Sequence, residues 1–137
     1  MLNETLRNLY DGVNEKEVSA SLVMSARTLI ETEPNYTYVA ARLLMDQLRT
    51  ETLSYLDLSP NHATQAEMGE RYAEAFRAFI FKGVEYELLD PVLRTYDLER
   101  LGKALDASRD LQFTYLGLQT LYDRYFIHHK GNRIELP

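Results

Sequence analysis

Histidine is the side chain best suited to acid–base work or metal ligation near neutral pH, and the chain has three: His62, His128 and His129. His62 lies in a loop beside Pro60, and His128 and His129 are neighbours in a run of β-type residues. Successive strand residues point to opposite faces, so the adjacent pair does not readily chelate one metal. All three read as surface or strand histidines. Carboxylates recur as Glu15 with Glu17 and as Glu67 with Glu70 and Glu74. They fall where helix caps, the helix dipole and solvated faces favour acids. No Glu-x-x-His pair accompanies them, which argues against a di-iron bundle. The sequence has no Gly-rich phosphate loop, no G-x-S-x-G and no H-E-x-x-H. No catalytic, cofactor-binding or metal-binding residue is therefore assigned. One oddity is Arg42, flanked by Tyr38, Val39, Leu43 and Met45. Its five donors are costly to bury unpaired. Asp46, one turn on, is the simplest acceptor, so the expectation is an internal ion pair within a helical core. The other reading of Arg42 is an anchor for a neighbouring carboxylate or a ligand phosphate.

Composition narrows the classes further. A chain of 137 residues, 45% hydrophobic and 26% charged, suits one soluble globular domain. Its net charge of −6 argues against a nucleic-acid surface, which needs clustered Lys and Arg. Without any cysteine it forms no disulfide and no thiolate metal site. No apolar run approaches the length of a membrane span, and no signal-peptide pattern opens the chain. A soluble, cytoplasmic protein is expected.

The elements that must position these residues are mostly helical. Leu2, Leu6, Leu9 and Tyr10 share a helical face stopped by Asp11 and Gly12. Asn14, with Glu17 three residues on, caps a second helix that ends before Pro34. "EPNYTYVAARLLMDQLR" opens the longest helix, running to about Leu56, and its apolar residues from Tyr38 to Met45 spread over several sides, which predicts a covered helix. Thr64 and Glu67 cap an aromatic-rich helix carrying Met68, Tyr72, Ala75, Phe76, Phe79 and Ile80. Asp90–Pro91 and Asp97 start two brief helical turns. Tyr115, Leu118, Leu121 and Tyr122 predict a last helix. "YFIHHKGNRIEL" predicts a β-hairpin with Gly131 and Asn132 as its turn and 125–127 and 133–136 as arms. The expected fold is mainly α, five to seven helices with a short C-terminal hairpin. The open sheet edge suggests a sequence cut from a longer one.

Two separated segments carry a family resemblance. "NLYDGVNEKEVSASLVMSARTLIETEPNYTYVAARLLMDQLR" and "SRDLQFTYLGLQTLYDRYFI" resemble the N-terminal region of the large, catalytic subunit of class I ribonucleotide reductase. A "YDG" turn, a P-x-Y-x-Y-x-A-A-R-L pattern over residues 34–43 and an R-D-x-x-F-x-Y pattern from Arg109 occur in the family's order. The resemblance implies an allosteric enzyme that reduces ribonucleoside diphosphates for DNA replication. Its chemistry would lie in an α/β barrel absent from this segment, driven by a radical from a metal-containing small subunit under nucleotide effectors. Implied partners are the remainder of the large subunit, a large-subunit homodimer and the small subunit, with no nucleic acid or membrane. Residues 1–30 resemble the second half of a truncated or degenerate ATP-cone, and 31–137 the helical domain, the two forming one compact unit. The cone's basic, hairpin-forming half does not occur here. "NEKEVSAS", residues 14–21, sets acids where a triphosphate would lie, and Thr50 and Glu51 stand where basic residues are expected. No cofactor is expected in the segment, nor activity from it alone. The alternative reading is a free-standing helical adaptor that binds a protein through Tyr72–Phe81.

Overall fold

Side-chain caps set three of the helical starts in the computed structural model, which describes residues 1–137. Six α-helices occur in chain order: α1 (Leu2–Arg7), α2 (Glu15–Thr28), α3 (Tyr36–Tyr55), α4 (Met68–Glu85), α5 (Leu98–Lys103) and α6 (Tyr115–Arg124). Short 3₁₀ turns occupy Leu29–Glu31, Pro91–Thr95 and Ala107–Gln112, and strands β1 (His128–His129) and β2 (Asn132–Arg133) close the order. The chain is thus mainly helical with a terminal hairpin, as expected. Asn14 accepts from the Glu17 amide at 2.9 Å, Asp90 from the Val92 amide at 2.8 Å and Asp97 from the Arg100 amide at 3.0 Å. Before α4, the Glu67 carboxylate accepts from the Thr64 amide at 3.0 Å and the Thr64 hydroxyl at 2.7 Å. The expected capping pair therefore forms, one turn ahead of the regular helix.

The buried positions of α3 correct the expectation of a helix covered on many sides. They are Ala40, Ala41, Leu44, Met45, Leu48, Arg49, Thr52 and Leu53. Steps of three and four place them all in one stripe. Tyr38, Arg42, Asp46 and Thr50 lie off that stripe and are exposed. Arg42 is therefore not buried and forms no core tie with Asp46.

The chain divides into two compact units, one of residues 1–47 with 111–124 and one of residues 48–110 with 125–137. The division falls inside α3. In the first unit α1 packs on α2, where the buried Thr5 hydroxyl donates to the Ser25 hydroxyl at 3.1 Å. Thr5 is the only buried residue of α1, while Leu2 and Leu6, read as sharing one helical face, are exposed. The Tyr115 amide at the start of α6 donates to the Thr37 hydroxyl at 3.0 Å, and the Arg27 guanidinium lies 5.8 Å from the Tyr115 ring centre.

The second unit is built on a cluster of Leu53, Met68, Tyr72, Ala75 and Ala107, with Leu58, Ala63 and Leu136 against it. α5 packs on α4 so closely that a Cβ at Gly102 would lie 2.9 Å from the Ala73 Cα. In the hairpin His128 pairs with Arg133 and His129 with Asn132. Its turn is Lys130–Gly131, with φ of +48° and +80°, not Gly131–Asn132. A two-residue hairpin turn of this hand needs positive φ at both central positions. Asn132 is freed to continue as strand, and the Ile134 amide donating to the Ile127 carbonyl at 3.0 Å extends the pairing.

Candidate functional site

The polar side chains of the second unit converge on Asp110, in the 3₁₀ turn before α6. Arg49, on the C-terminal half of α3, donates through Nη2 to Asp110 Oδ2 at 2.9 Å and to Gln65 Oε1 at 2.6 Å. Tyr72, from α4, donates its hydroxyl to the same Asp110 oxygen at 2.5 Å. Gln65 passes its amide on to the Ala107 carbonyl at 2.6 Å. Arg49 and Asp110 have side chains only 2% and 5% exposed. Such a pair is tolerable in the interior only because each charge meets the other and further hydrogen bonds. Burial, with the Asp110 hydrogen bond and charge behind it, pushes the Tyr72 hydroxyl well above its ordinary pKa, against a smaller opposing effect of Arg49. Asp110 accepts from α3 and from α4 on one oxygen, which suits it to fixing α3, α4 and the 3₁₀ turn.

Arg49 was missed in the sequence, where Arg42 drew attention. The signal was present: Arg49 is four residues beyond Met45 and four before Leu53, so it sits on the apolar stripe, whereas Arg42 is off it. Gln65 gave no such signal, because a loop residue has no period.

A second cluster centres on His129. Its ring stacks on Tyr86 with centres 4.0 Å apart and planes 10° from parallel, and its Nδ1 shares a 2.8 Å hydrogen bond with the Tyr55 hydroxyl. Glu51, noted for standing where a basic residue was expected, accepts from the Arg133 amide at 2.6 Å. Glu135 accepts from the Ile127 amide at 2.9 Å. The contacts to Tyr55, Tyr86 and Glu51 fix the hairpin against the rest of the second unit, and the Glu135 bond lies within the hairpin segment. His129 is therefore half-buried and engaged, whereas His128 is exposed. His62 is exposed, 3.3 Å from the Glu67 carboxylate. The structure brings none of the three histidines together.

The acids singled out by sequence are dispersed. Glu17 accepts from Asn14 at 2.9 Å and from the Tyr10 hydroxyl at 2.6 Å. Hydrogen bonds from the Thr64 side chain and backbone hold Glu67 below the usual carboxylate pKa. Glu74 lies 3.7 Å from Arg71, and Glu15 and Glu70 face solvent. No group of three His, Cys, Asp or Glu is placed to hold a metal ion. No helix is long and apolar enough to cross a membrane.

Fold and ties together define a helical segment in which buried polar side chains lock elements to one another. Its relatives give that class a name. The chain is 45% identical over 128 residues to the ribonucleoside-diphosphate reductase subunit alpha of Chlamydia pneumoniae, covering 93% of this chain and 12% of that protein. The subunit alpha of Chlamydia trachomatis is 43% identical over 95% of the chain, and that of Helicobacter pylori 30% identical over 93%. No protein-family model matches the chain. It is thus homologous to the N-terminal region of the ribonucleoside-diphosphate reductase alpha subunit, and spans about 12% of the length of its Chlamydia relatives.

Proposed function

We propose that the chain serves as the N-terminal helical segment of a ribonucleoside-diphosphate reductase large subunit, supporting a catalytic domain that reduces ribonucleoside diphosphates by radical chemistry. The carrying observation is the 45% identity across 93% of the chain. The buried tie agrees with it, since Asp110 belongs to the second of the two segments that resemble the family. In this reading the segment acts with the rest of the large subunit, a second large subunit and a radical-supplying small subunit, and has no turnover alone. The comparisons favour it over a free-standing adaptor. So does the aromatic face of α4, where Tyr72 is buried and Phe76 and Phe79 are half-buried.

A chimera tests this directly. Replacing the matching segment of the Chlamydia pneumoniae alpha subunit with residues 1–137 should leave ribonucleoside-diphosphate reduction within a few-fold of the parent. A well-folded but inactive chimera would overturn the assignment. Effector binding is a separate question. Glu15 and Glu17 in the first turn of α2 oppose a triphosphate, so calorimetric titration with ATP and dATP should show no saturable binding to the chain. Micromolar affinity for either nucleotide would contradict that part of the reading.

A further inference from the structure

On the face of α4 that carries Ala73, Arg77 and Phe81, a groove of about 540 Å³ opens toward Arg94, Tyr96 and Leu98. Two guanidinium groups lie over the same Phe81 ring, Arg77 at 5.6 Å and Arg94 at 5.1 Å from its centre. Arg94 donates to the Phe81 carbonyl at 2.9 Å, which leaves most of its donors open, and Arg77 meets no carboxylate. Of the three acids on the rim, Glu74 and Glu99 face cations, while Asp97 accepts from an amide that does not neutralise its charge. Glu74 faces Arg71 at 3.7 Å, Glu99 binds Lys103 at 2.6 Å, and Asp97 accepts from the Arg100 amide at 3.0 Å. Two like charges therefore share one ring without a counter-charge between them, beside Phe81 and Tyr96, which are 40% and 54% exposed.

We propose that this groove docks an acidic, amphipathic peptide segment of a partner protein, its carboxylates bridging Arg77 and Arg94 and an apolar side chain resting on Phe81 and Tyr96. Arginine forks suit carboxylates because two parallel N–H donors match two oxygens. Cation–π contact with Phe81 favours positions of both guanidinium groups over the ring, which lowers the entropy lost on binding. A small free anion fits the groove less well: no buried polar side chain encloses it, and the two rings would stay wet. The inference stands on this geometry and does not depend on the reductase assignment.

The test pans a phage-displayed library of random linear peptides on the intact chain, then measures the selected peptides by fluorescence anisotropy. Enrichment of Asp or Glu beside aliphatic or aromatic residues is expected, with affinity that falls as salt rises. Arg77→Gln and Arg94→Gln should each weaken binding about tenfold. Arg77→Lys should recover part of the loss, and circular dichroism should be unchanged throughout. Selected peptides without acidic enrichment, or affinity unchanged in the Arg77→Gln, Arg94→Gln double variant, would overturn the proposal. So would a dimer in sedimentation that Arg77→Gln dissolves, because the occupant would then be a second copy of the chain.

Discussion

Arg49 and Asp110 are 61 positions apart in sequence and 2.9 Å apart in space. Removing one partner strands the other charge in the interior, so Arg49→Met or Asp110→Asn should each cost about 3–5 kcal/mol in urea unfolding. Removing both leaves no stranded charge, and the double variant should lose clearly less than the sum of the two. Additive losses would show that the two residues do not act as a pair. Tyr72 gives a pH signature. Its raised pKa means the folded chain keeps a proton that the unfolded chain releases above about pH 10. That contribution is complete below about pH 10 and is lost as pH rises toward the raised folded value. Between about pH 9 and 11, Tyr72→Phe should therefore lose stability less steeply than the parent. An equal slope would mean that other tyrosines govern the alkaline limb. Of this site, Arg49 and Asp110 each lay in one of the two resembling segments and Tyr72 on the aromatic helix face, but nothing in the sequence tied the three together. Arg49 was hidden because an arginine on an apolar stripe looks the same in sequence as one just beside it until the stripe's phase is fixed.

Helix starts were legible because a cap is a local event: Asn14, Asp90 and Asp97 each reach an amide two or three residues ahead. Turn phase was harder to read, because Gly131 fits either half of a two-residue turn and only the paired strands decide. Lys130 takes the left-handed conformation at φ +48°, which Asn tolerates better than Lys. Lys130→Asn should raise stability by a few tenths of a kcal/mol, about the scale of one local backbone preference, measurable in urea unfolding. A loss would argue that the lysine makes a compensating contact. The glycines differ in the same measurable way. A methyl at Gly102 would meet backbone, the Ala73 Cα at 2.9 Å, whereas one at Gly83 would meet only the flexible end of Leu89. Gly102→Ala should therefore cost about 1–3 kcal/mol, as overpacking does, and Gly83→Ala less. The reverse order of the two melting temperatures would place the close approach elsewhere.

At the scale of the molecule, periodicity and caps read correctly as mainly helical, but they did not show that the shared apolar face of α1 stays exposed. Leu2 and Leu6 are 68% and 63% exposed, and Leu116 on α6 is 73% exposed. Periodicity identifies a face, not what covers it. In the isolated chain Leu6→Gln and Leu116→Gln should change stability by no more than about 0.5 kcal/mol, as surface substitutions do. In the chimeric alpha subunit the same changes should lower the melting temperature if the longer polypeptide covers these residues. An unchanged chimera would show that they stay in water there as well.

The chain has ten tyrosines and no tryptophan, so its ultraviolet signal belongs to phenol rings. Tyr72 and Tyr115 are the buried phenols, and Tyr72 must leave Asp110 before it can ionise. After a rapid jump to alkaline pH, the exposed rings should absorb as tyrosinate at once and Tyr72 only as fast as its surroundings part. The delayed absorbance that Tyr72→Phe removes is then a clock for the opening of the second unit, built from the protein's own chromophore.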